Sequence, residues 1–208
     1  MYVPTANAVT DPAEVEAVLA NLRLGCLVTH DVEGLFATHL PFVWDSERRV
    51  LSGHVARANP HWKRGCDAQA LVIFQGVDAY ITPSWYPSKF QHGRVVPTWS
   101  YEVVHIYGVP TWHHDQAWLL AHLAVLTDRF EATSAKPWSI EDAPRDYIER
   151  HAAAVVGVEI AVDRVEAKRK LSQNRAEPDR LGVIAGLSAS ESPSDRTVAQ
   201  AMVRAKPI

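Results

Sequence analysis

The segment from His54 to Lys63 combines cationic side chains with a helix start, which is what an anion-binding site needs. Asn59 is a favoured N-cap, and Pro60 falls at the first helical position, where its missing N–H costs nothing. A helix N-terminus offers free N–H groups and the positive end of a dipole. The side chains around this start are Arg57, Lys63, His54 and His61. The segment predicts a phosphate site for a nucleotide-like cofactor, with a capped surface helix and solvated cations as the alternative.

Composition narrows the class of protein. The 208 residues suit one domain, or one domain with an appendage, and 47% of them are hydrophobic, which is enough for a sizeable core. The net charge of −3 gives no basic footprint for nucleic acid. No 18-residue apolar run and no secretion signal occur, so we expect a cytoplasmic protein without a membrane span. Cys26 and Cys66 are expected to be small buried residues rather than a disulfide.

The spacing of apolar residues predicts a helix, a series of strands and then further helices. The predicted strands cover 25–30, 35–44, 49–54, 70–74, 79–82, 98–109 and 156–162. A Gly-Val-Asp turn is expected between the fourth and fifth of these. The predicted helices begin at Pro12 and after Asp115, cover 144–151, and form two tail segments from Glu177 that are split at 188–193.

These elements indicate a mainly β (α+β) fold. At least six strands in tandem, bounded by helices, are typical of a small antiparallel barrel with peripheral helices. The interior of such a barrel is too narrow for a large ligand. A flat ligand is therefore expected outside the barrel, and a groove between two subunits is the natural place for it.

Six segments, in the same order along the chain, resemble the PaiB family, which is described as FMN-binding negative transcriptional regulators. The segments are 1–4, 37–41, 53–63, 80–86, 96–101 and 170–174. The resemblance implies a six-stranded antiparallel FMN-binding split barrel over 1–175 and a helical C-terminal tail over 176–208, packed on the barrel or on the dimer partner. It also implies a homodimer with FMN bound at the subunit interface.

The resemblance assigns cofactor-binding roles to residues in three parts of the chain. It implies that the flavin ring lies along Thr38, His39, Leu40 and Pro41. It implies that the phosphate is held near His54, Arg57, Asn59, His61 and Lys63. It implies that an arm, formed by Lys170, Ser172, Gln173 and Asn174, closes the site from the partner subunit. Trp99 is added as a cofactor-binding candidate because its ring could cover a planar cofactor. From the residues alone, Thr38 favours a satisfied strand position and the arm favours a solvated loop.

The loop from Tyr80 to Trp99 allows two interpretations. Its prolines and its glycine predict a structured connection between strands. Trp85, Tyr86 and Trp99 form either an aromatic wall over a planar cofactor or part of the core. His92 and Arg94 are the residues of this loop that we expect to face a substrate.

Three functions remain open from the sequence. The first is negative regulation, although direct DNA binding is not favoured because no helix-turn-helix and no basic stripe occur. Packing of the tail is favoured over a role in DNA binding. The only candidates for DNA contacts are the tail cations Arg175, Arg180, Arg196, Arg204 and Lys206. The second function is an FMN-dependent oxidoreductase.

The third function is a haem-dependent enzyme of the piperazate-synthase type. Its axial ligand would come from His54, His61 or His39. The adjacent residues His113 and His114 do not favour a zinc site, because neighbours on a strand point to opposite faces. No other metal site is predicted.

Overall fold

The computed structural model describes residues 1–64 and 69–205, so the expectations for Cys66 and Lys206 lie outside the described residues. The helices of the described chain are Pro12–Ala20 (α1), Pro87–His92 (α2), Gln116–Glu131 (α3), Arg145–Ala153 (α4), Glu177–Ser188 (α5) and Pro193–Arg204 (α6). None of these is long and apolar enough to cross a membrane. The helix expected after Asp115 is confirmed, and the Asp115 carboxylate caps it by accepting from Trp118 N at 2.8 Å.

A sheet of seven strands carries the fold. The strands are Ala8–Val9 (β1), Leu24–Asp31 (β2), Gly34–Asp45 (β3), Val50–Ala56 (β4), Ala70–Ile81 (β5), Thr98–His113 (β6) and Val155–Lys170 (β7). Their order is β1-β7-β4-β3-β2-β5-β6, and β6 also pairs with β7, so that β2 to β7 close on one another. The predicted six-stranded split barrel is confirmed, with the two-residue β1 as an additional edge strand.

The turn expected within β5 is wrong. Residues 70 to 81 form one continuous strand, and Gly76 lies within it. A Cβ at Gly76 would come within 3.0 Å of Glu102 Cβ, which shows that this glycine permits a close approach of β6 rather than a change of direction. The strands β6 and β7 both extend further than the sequence pattern predicts.

The chain forms two compact units. Unit 1 contains residues 1–11, 75–104 and 166–208, and unit 2 contains 12–74 and 105–165. The core of unit 2 is made of inward-facing strand residues, among them Leu27, Phe42, Leu51, Val72, Ile106 and Ile160. Burial alternates along β2, as expected for a strand with one face in the core, whereas residues 156–160 of β7 are all buried.

The core of unit 1 includes the tail helices. Val183 and Leu187 of α5 and Met202 of α6 are buried with Tyr86 and Leu171 in one cluster. The tail helices thus share a core with other residues of unit 1, while the packing of the tail on the barrel or on a dimer partner stays a prediction. The expected boundary at residue 175 falls in unit 1, between β7 and α5.

Candidate functional site

The turn after β4 forms a short 3-10 helix over Pro60–Lys63. Asn59 caps it as predicted, because its Oδ1 accepts from His61 N at 3.0 Å. The amide of Asn59 also donates to Thr38 Oγ1 at 3.1 Å. The cap therefore links the turn to β3, and Thr38 is a hydrogen-bonded strand residue, as the residues alone favoured.

His61 is the centre of this cluster and is fully buried. Its Nδ1 is hydrogen-bonded to Thr38 Oγ1 at 2.8 Å and its Nε2 to Thr29 Oγ1 at 2.9 Å. Burial, and to a smaller extent the charge of Arg64, lower the pKa of His61 to about 4. A neutral imidazole with both nitrogens occupied fixes the turn against β2 and β3 and leaves no ring nitrogen for another ligand.

Arg64 ties the end of the turn to the β2–β3 hairpin. Its Nε donates to Asp31 Oδ2 at 2.7 Å and its Nη2 to Asp31 Oδ1 at 2.9 Å, which is a bidentate pair. The guanidinium lowers the pKa of Asp31 to about 2. The neighbouring Lys63 side chain is exposed, and its ammonium lies 4.9 Å from the centre of the Trp62 ring.

Arg57 holds the end of α4 in place. Its Nε donates to Ala153 O at 2.7 Å, its Nη2 donates to Val155 O at 2.8 Å, and its Nη1 is 3.3 Å from His114 Nδ1. A guanidinium has five N–H groups, so these contacts leave two for an anion. Arg57 is therefore both a structural residue and a donor with remaining capacity.

His54 belongs to a second cluster in unit 2, which the sequence did not reveal. Its Nδ1 is 3.2 Å from Nε2 of His122, which is on α3 and only 6% exposed. Burial lowers the pKa of both rings, that of His122 to about 4, where the charges of His54 and His113 contribute to a lesser extent. Trp118 stacks against His122 with ring centres 5.1 Å apart.

Gly157 positions Trp118 and with it α3. A Cβ at Gly157 would come within 2.0 Å of the Trp118 ring, so only glycine lets the indole lie on β7. The Trp118 ring also stacks on His113, with ring centres 4.1 Å apart. His113 Nε2 lies 3.1 Å from Glu159 Oε2, within ion-pair distance but without the alignment of a hydrogen bond. His113 and His114 thus contact different partners.

The remaining residues of the predicted ring-binding strand differ in their surroundings. His39 of β3 is exposed and is paired with Cys26 of β2. Leu40 is buried in the core, so only its main chain is available to a ligand. Pro41 is half-buried and opposes Leu24 in the β2–β3 register.

The predicted arm in unit 1 is partly committed to internal contacts. Lys170 Nζ donates to Thr98 Oγ1 at 2.6 Å and to Trp99 O at 2.7 Å. Gln173 is buried; its Oε1 accepts from Leu171 N, and its Nε2 donates to Arg169 O. Ser172 has a left-handed backbone with φ 62°, and Asn174 is exposed. Within the arm, Gln173 therefore shapes the turn, while Ser172 and Asn174 lie at its surface.

The three aromatic residues of the Tyr80–Trp99 loop separate into two kinds. Tyr86 is fully buried. The Trp85 ring packs against Gly186, where a Cβ would come within 2.4 Å of the ring. The core interpretation is therefore correct for these two, whereas Trp99 is 53% exposed. His92 and Arg94 are exposed, and His92 Nδ1 accepts from Arg94 N at 3.0 Å.

Three of the tail cations contact their own unit. Arg180 is buried and donates to the carbonyls of Met202 and Ala205 at the end of α6. Arg196 donates to Ser190 O and Glu191 O. The guanidinium of Arg175 lies 4.7 Å from the Tyr86 ring centre. Within residues 1–64 and 69–205, no group of three or more His, Cys, Asp or Glu side chains is arranged to hold a metal ion.

The fold is that of a split-barrel protein. Among solved structures, a conserved hypothetical protein from Mycobacterium tuberculosis has a TM-score of 0.60 at 13% identity and covers 85% of this chain and 95% of its own. The FAD and heme binding protein from Mycobacterium smegmatis has a TM-score of 0.57 at 18% identity, covering 78% and 73%. At such identities the likeness concerns the fold alone.

Sequence comparison gives the family. A family described as "Putative FMN-binding domain" matches residues 1–164. "Protease synthase and sporulation protein PAI 2" of Bacillus subtilis is 32% identical over 206 residues, which cover 97% of this chain and 96% of that protein. The chain belongs to this PaiB family of FMN-binding proteins, and the family membership supports FMN as the cofactor.

The donors in the structure fit FMN. Arg57 retains two N–H groups, and Lys63 has an exposed ammonium whose only described contact is the Trp62 ring, so both suit a phosphate dianion. In unit 1, Lys170 retains one of its three N–H groups, and exposed Trp99 offers a planar apolar surface. When bound, FMN supplies hydride and single-electron chemistry.

Proposed function

We propose that this chain is an FMN-binding homodimer that acts as a negative regulator of transcription, with FMN as the ligand that controls it. The observation that carries the flavin part is the turn over Arg57–Lys63. Hydrogen bonds within unit 2 fix this turn, yet Arg57 and Lys63 keep donors that its internal contacts do not use. A fixed turn with unused cationic donors is a preorganised anion site, which costs little entropy on binding.

The regulatory part is supported by the relative PAI 2, whose name connects it with protease synthesis and sporulation and whose length this chain matches almost completely. Three tail arginines are used inside unit 1, which disfavours the tail as a DNA-binding element. We therefore propose that regulation acts through a protein partner rather than through direct contacts with DNA.

The hydrogen bonds of one of the three expected axial histidines, His61, disfavour haem at that residue. Of the expected axial ligands, His61 has both ring nitrogens hydrogen-bonded to threonine hydroxyls. His54 uses its Nδ1 on His122. A haem at His61 would have to displace these hydrogen bonds, whereas His54 keeps its Nε2 and His39 is exposed, so the absorption spectrum decides between FMN and haem at these two residues.

Absorption spectroscopy and analytical ultracentrifugation test this proposal. The purified chain is expected to take up FMN and to sediment at the mass of two chains. A gel shift with promoter DNA is expected to show no salt-sensitive complex. A Soret band in place of a flavin spectrum, or sustained turnover of a nicotinamide donor with an acceptor, would replace this function with the haem or the oxidoreductase alternative.

A further inference from the structure

Unit 1 exposes a short segment that combines basic and apolar side chains. We define the cationic loop as residues 89–96, which contain the end of α2 and most of the connection to β6. Phe90 is 78% exposed, the largest exposed fraction of any phenylalanine in the chain, and Val96 is 66% exposed. An exposed aromatic ring among charged groups can serve as the anchor of an interface with another molecule.

The cationic loop stands on a fixed base within unit 1. Ser88, which precedes the loop, donates from its backbone N at 3.0 Å and from its Oγ at 2.7 Å to the two carboxylate oxygens of Asp179. Asp179 lies on α5 and is only 5% exposed, so water competes little for these hydrogen bonds. At the other end of α2, Gly93 N donates to Lys89 O at 3.0 Å. A surface that is already held in one conformation loses little entropy when a partner binds.

The three basic side chains of the cationic loop keep hydrogen-bond donors for a partner. Lys89 Nζ donates to Ser84 Oγ at 3.1 Å and retains two N–H groups. His92 Nδ1 accepts from Arg94 N at 3.0 Å, so its other ring nitrogen carries a proton and is a donor. Within residues 1–64 and 69–205, the Arg94 guanidinium makes no hydrogen bond or ion pair.

Unit 2 contains a similar pair of residues whose cation is already used. On α3, the Arg129 guanidinium lies 6.0 Å from the centre of the Phe130 ring, which is 40% exposed. Arg129 donates to the carbonyls of Ala20 and Leu22. An exposed ring beside a cation is therefore not what sets the cationic loop apart; its unused donors are.

The segment around the cationic loop is positively charged in a chain that is negative overall. No acidic residue occurs in the sequence between Asp78 and Glu102, whereas the net charge of the chain is −3. The Asp179 carboxylate that contacts α2 accepts from Ser88 rather than from a cation of the loop. Positive charge without an acidic neighbour favours a negatively charged partner.

We infer that the cationic loop binds an acidic segment of a protein partner, with an apolar side chain of that segment on Phe90 and its carboxylates on Lys89 and Arg94. A guanidinium holds a carboxylate through two parallel hydrogen bonds, so a short acidic segment suits this loop. Nucleic acid suits it less, because nucleic-acid affinity comes from many phosphate contacts and the chain has a negative net charge. The inference rests on the proposed regulation through a protein partner, and it names the surface and the chemistry of that partner.

Selection from a phage-displayed library of random peptides tests this inference without assuming a sequence. Peptides selected on the full wild-type chain are expected to be enriched in Asp and Glu and to carry an aromatic or aliphatic side chain. Fluorescence polarisation of a labelled, enriched peptide then gives its Kd. Phe90→Ala and Arg94→Glu are each expected to raise this Kd by a factor of about ten or more, because the first removes the anchor and the second reverses a charge.

The controls come from the same chain. Phe130→Ala removes an exposed ring beside a cation outside the cationic loop and is expected to leave the peptide Kd unchanged. A double variant, Lys89→Glu with Arg94→Glu, is expected to prefer a peptide in which lysine replaces each acidic residue. Urea denaturation and FMN titration accompany each variant, and both should give wild-type values because the changed side chains are exposed.

The outcomes distinguish the inference from the function on which it rests. Selected peptides without an acidic excess, or a peptide Kd that is the same for the wild type and Phe90→Ala, overturn the inference; the proposed function stays intact if the wild type binds FMN as a dimer. Loss of FMN affinity in Phe90→Ala, at an unchanged peptide Kd, assigns the loop to the cofactor instead. Binding of a single-stranded DNA oligonucleotide through Phe90, without binding of acidic peptides, replaces the protein partner with nucleic acid. A wild type that binds no FMN but binds acidic peptides through Phe90 overturns the proposed function and retains this surface.

Discussion

The two groups of expected cofactor residues are built in opposite ways. Around His61 in unit 2, the polar side chains use their hydrogen bonds on one another and are largely buried. Around Trp99 in unit 1, aromatic rings are exposed and Lys170 keeps a donor. The first group is a scaffold that fixes the chain, and the second is a surface that can receive a ligand.

Mutations in the two groups should therefore have different effects, on folding in the first and on ligand binding in the second. A change in the His61 cluster leaves buried groups without partners and should act on folding first. A change at Trp99 removes a ring that is already half exposed, which costs little stability, and should act on binding. Arg57 combines both properties, because it holds α4 and keeps free N–H groups.

The largest expected effect is on stability, in the His61→Ala variant. Removing the ring leaves the hydroxyls of Thr29 and Thr38 without this partner and creates a cavity, so the free energy of unfolding should fall by about 3–5 kcal/mol. Urea denaturation measures it. His39→Ala is the matched control, since His39 is exposed on the same strand as Thr38, and should change stability by less than about 0.5 kcal/mol. Equal losses in the two variants would contradict the scaffold role.

The second largest effect tests whether Arg57 serves both the fold and FMN binding. Arg57→Ala should weaken FMN binding by about 1.5–3 kcal/mol, because a phosphate loses a charge-assisted hydrogen bond, and should also lower stability. Lys63→Ala is the comparison, because Lys63 contacts only the Trp62 ring among the described residues and should weaken FMN without unfolding. Isothermal titration calorimetry and urea denaturation measure the two quantities. Unchanged FMN affinity in Arg57→Ala would remove Arg57 from the site.

The buried histidines predict how stability depends on pH. His61 and His122 have a pKa of about 4 in the folded chain, below the value near 6.5 of an exposed histidine. Between these values the unfolded chain binds more protons, so stability is complete above about pH 6.5 and is lost as the pH falls toward 4. Each histidine contributes a slope of up to about 1.4 kcal/mol per pH unit.

Urea midpoints between pH 7.5 and 4.5 test this dependence. His122→Gln should reduce the slope, because it removes one of the two groups. A wild-type midpoint that stays constant over this range would mean that the two rings are not buried as neutral groups.

The smallest expected effect concerns the arm in unit 1. Ser172 has φ 62°, a conformation that glycine adopts without the penalty of a side chain. Ser172→Gly should therefore raise the free energy of unfolding by about 0.5–1 kcal/mol. Ser172→Ala keeps the backbone strain and serves as the control. A loss of stability in Ser172→Gly would show that the turn around Gln173 depends on the serine side chain.

Local patterns predicted much of the fold. The Asp115 cap, the amphipathic α3 and the two tail helices follow from short-range spacing, and they are present. The continuity of β5 could not be read in this way, because Gly-Val-Asp is typical of a turn and only the approach of Glu102 to Gly76 explains the strand.

The site was less predictable than the fold because its contacts join residues far apart in the chain. The Asn59 cap is local and was predicted. The pairing of His54 with His122 spans 68 residues and depends on Trp118 lying on Gly157, for which the sequence holds no short-range signal. Likewise, nothing near Arg57 indicates that its guanidinium donates to Ala153 and Val155.

Titration of the purified chain with FMN, followed by flavin absorbance and by sedimentation, tests the central claim most directly. If two identical chains together bind FMN through Arg57 and Lys63, we expect saturation at one flavin per chain, in a species with the mass of two chains. A monomer that stays colourless when FMN is added would contradict this account.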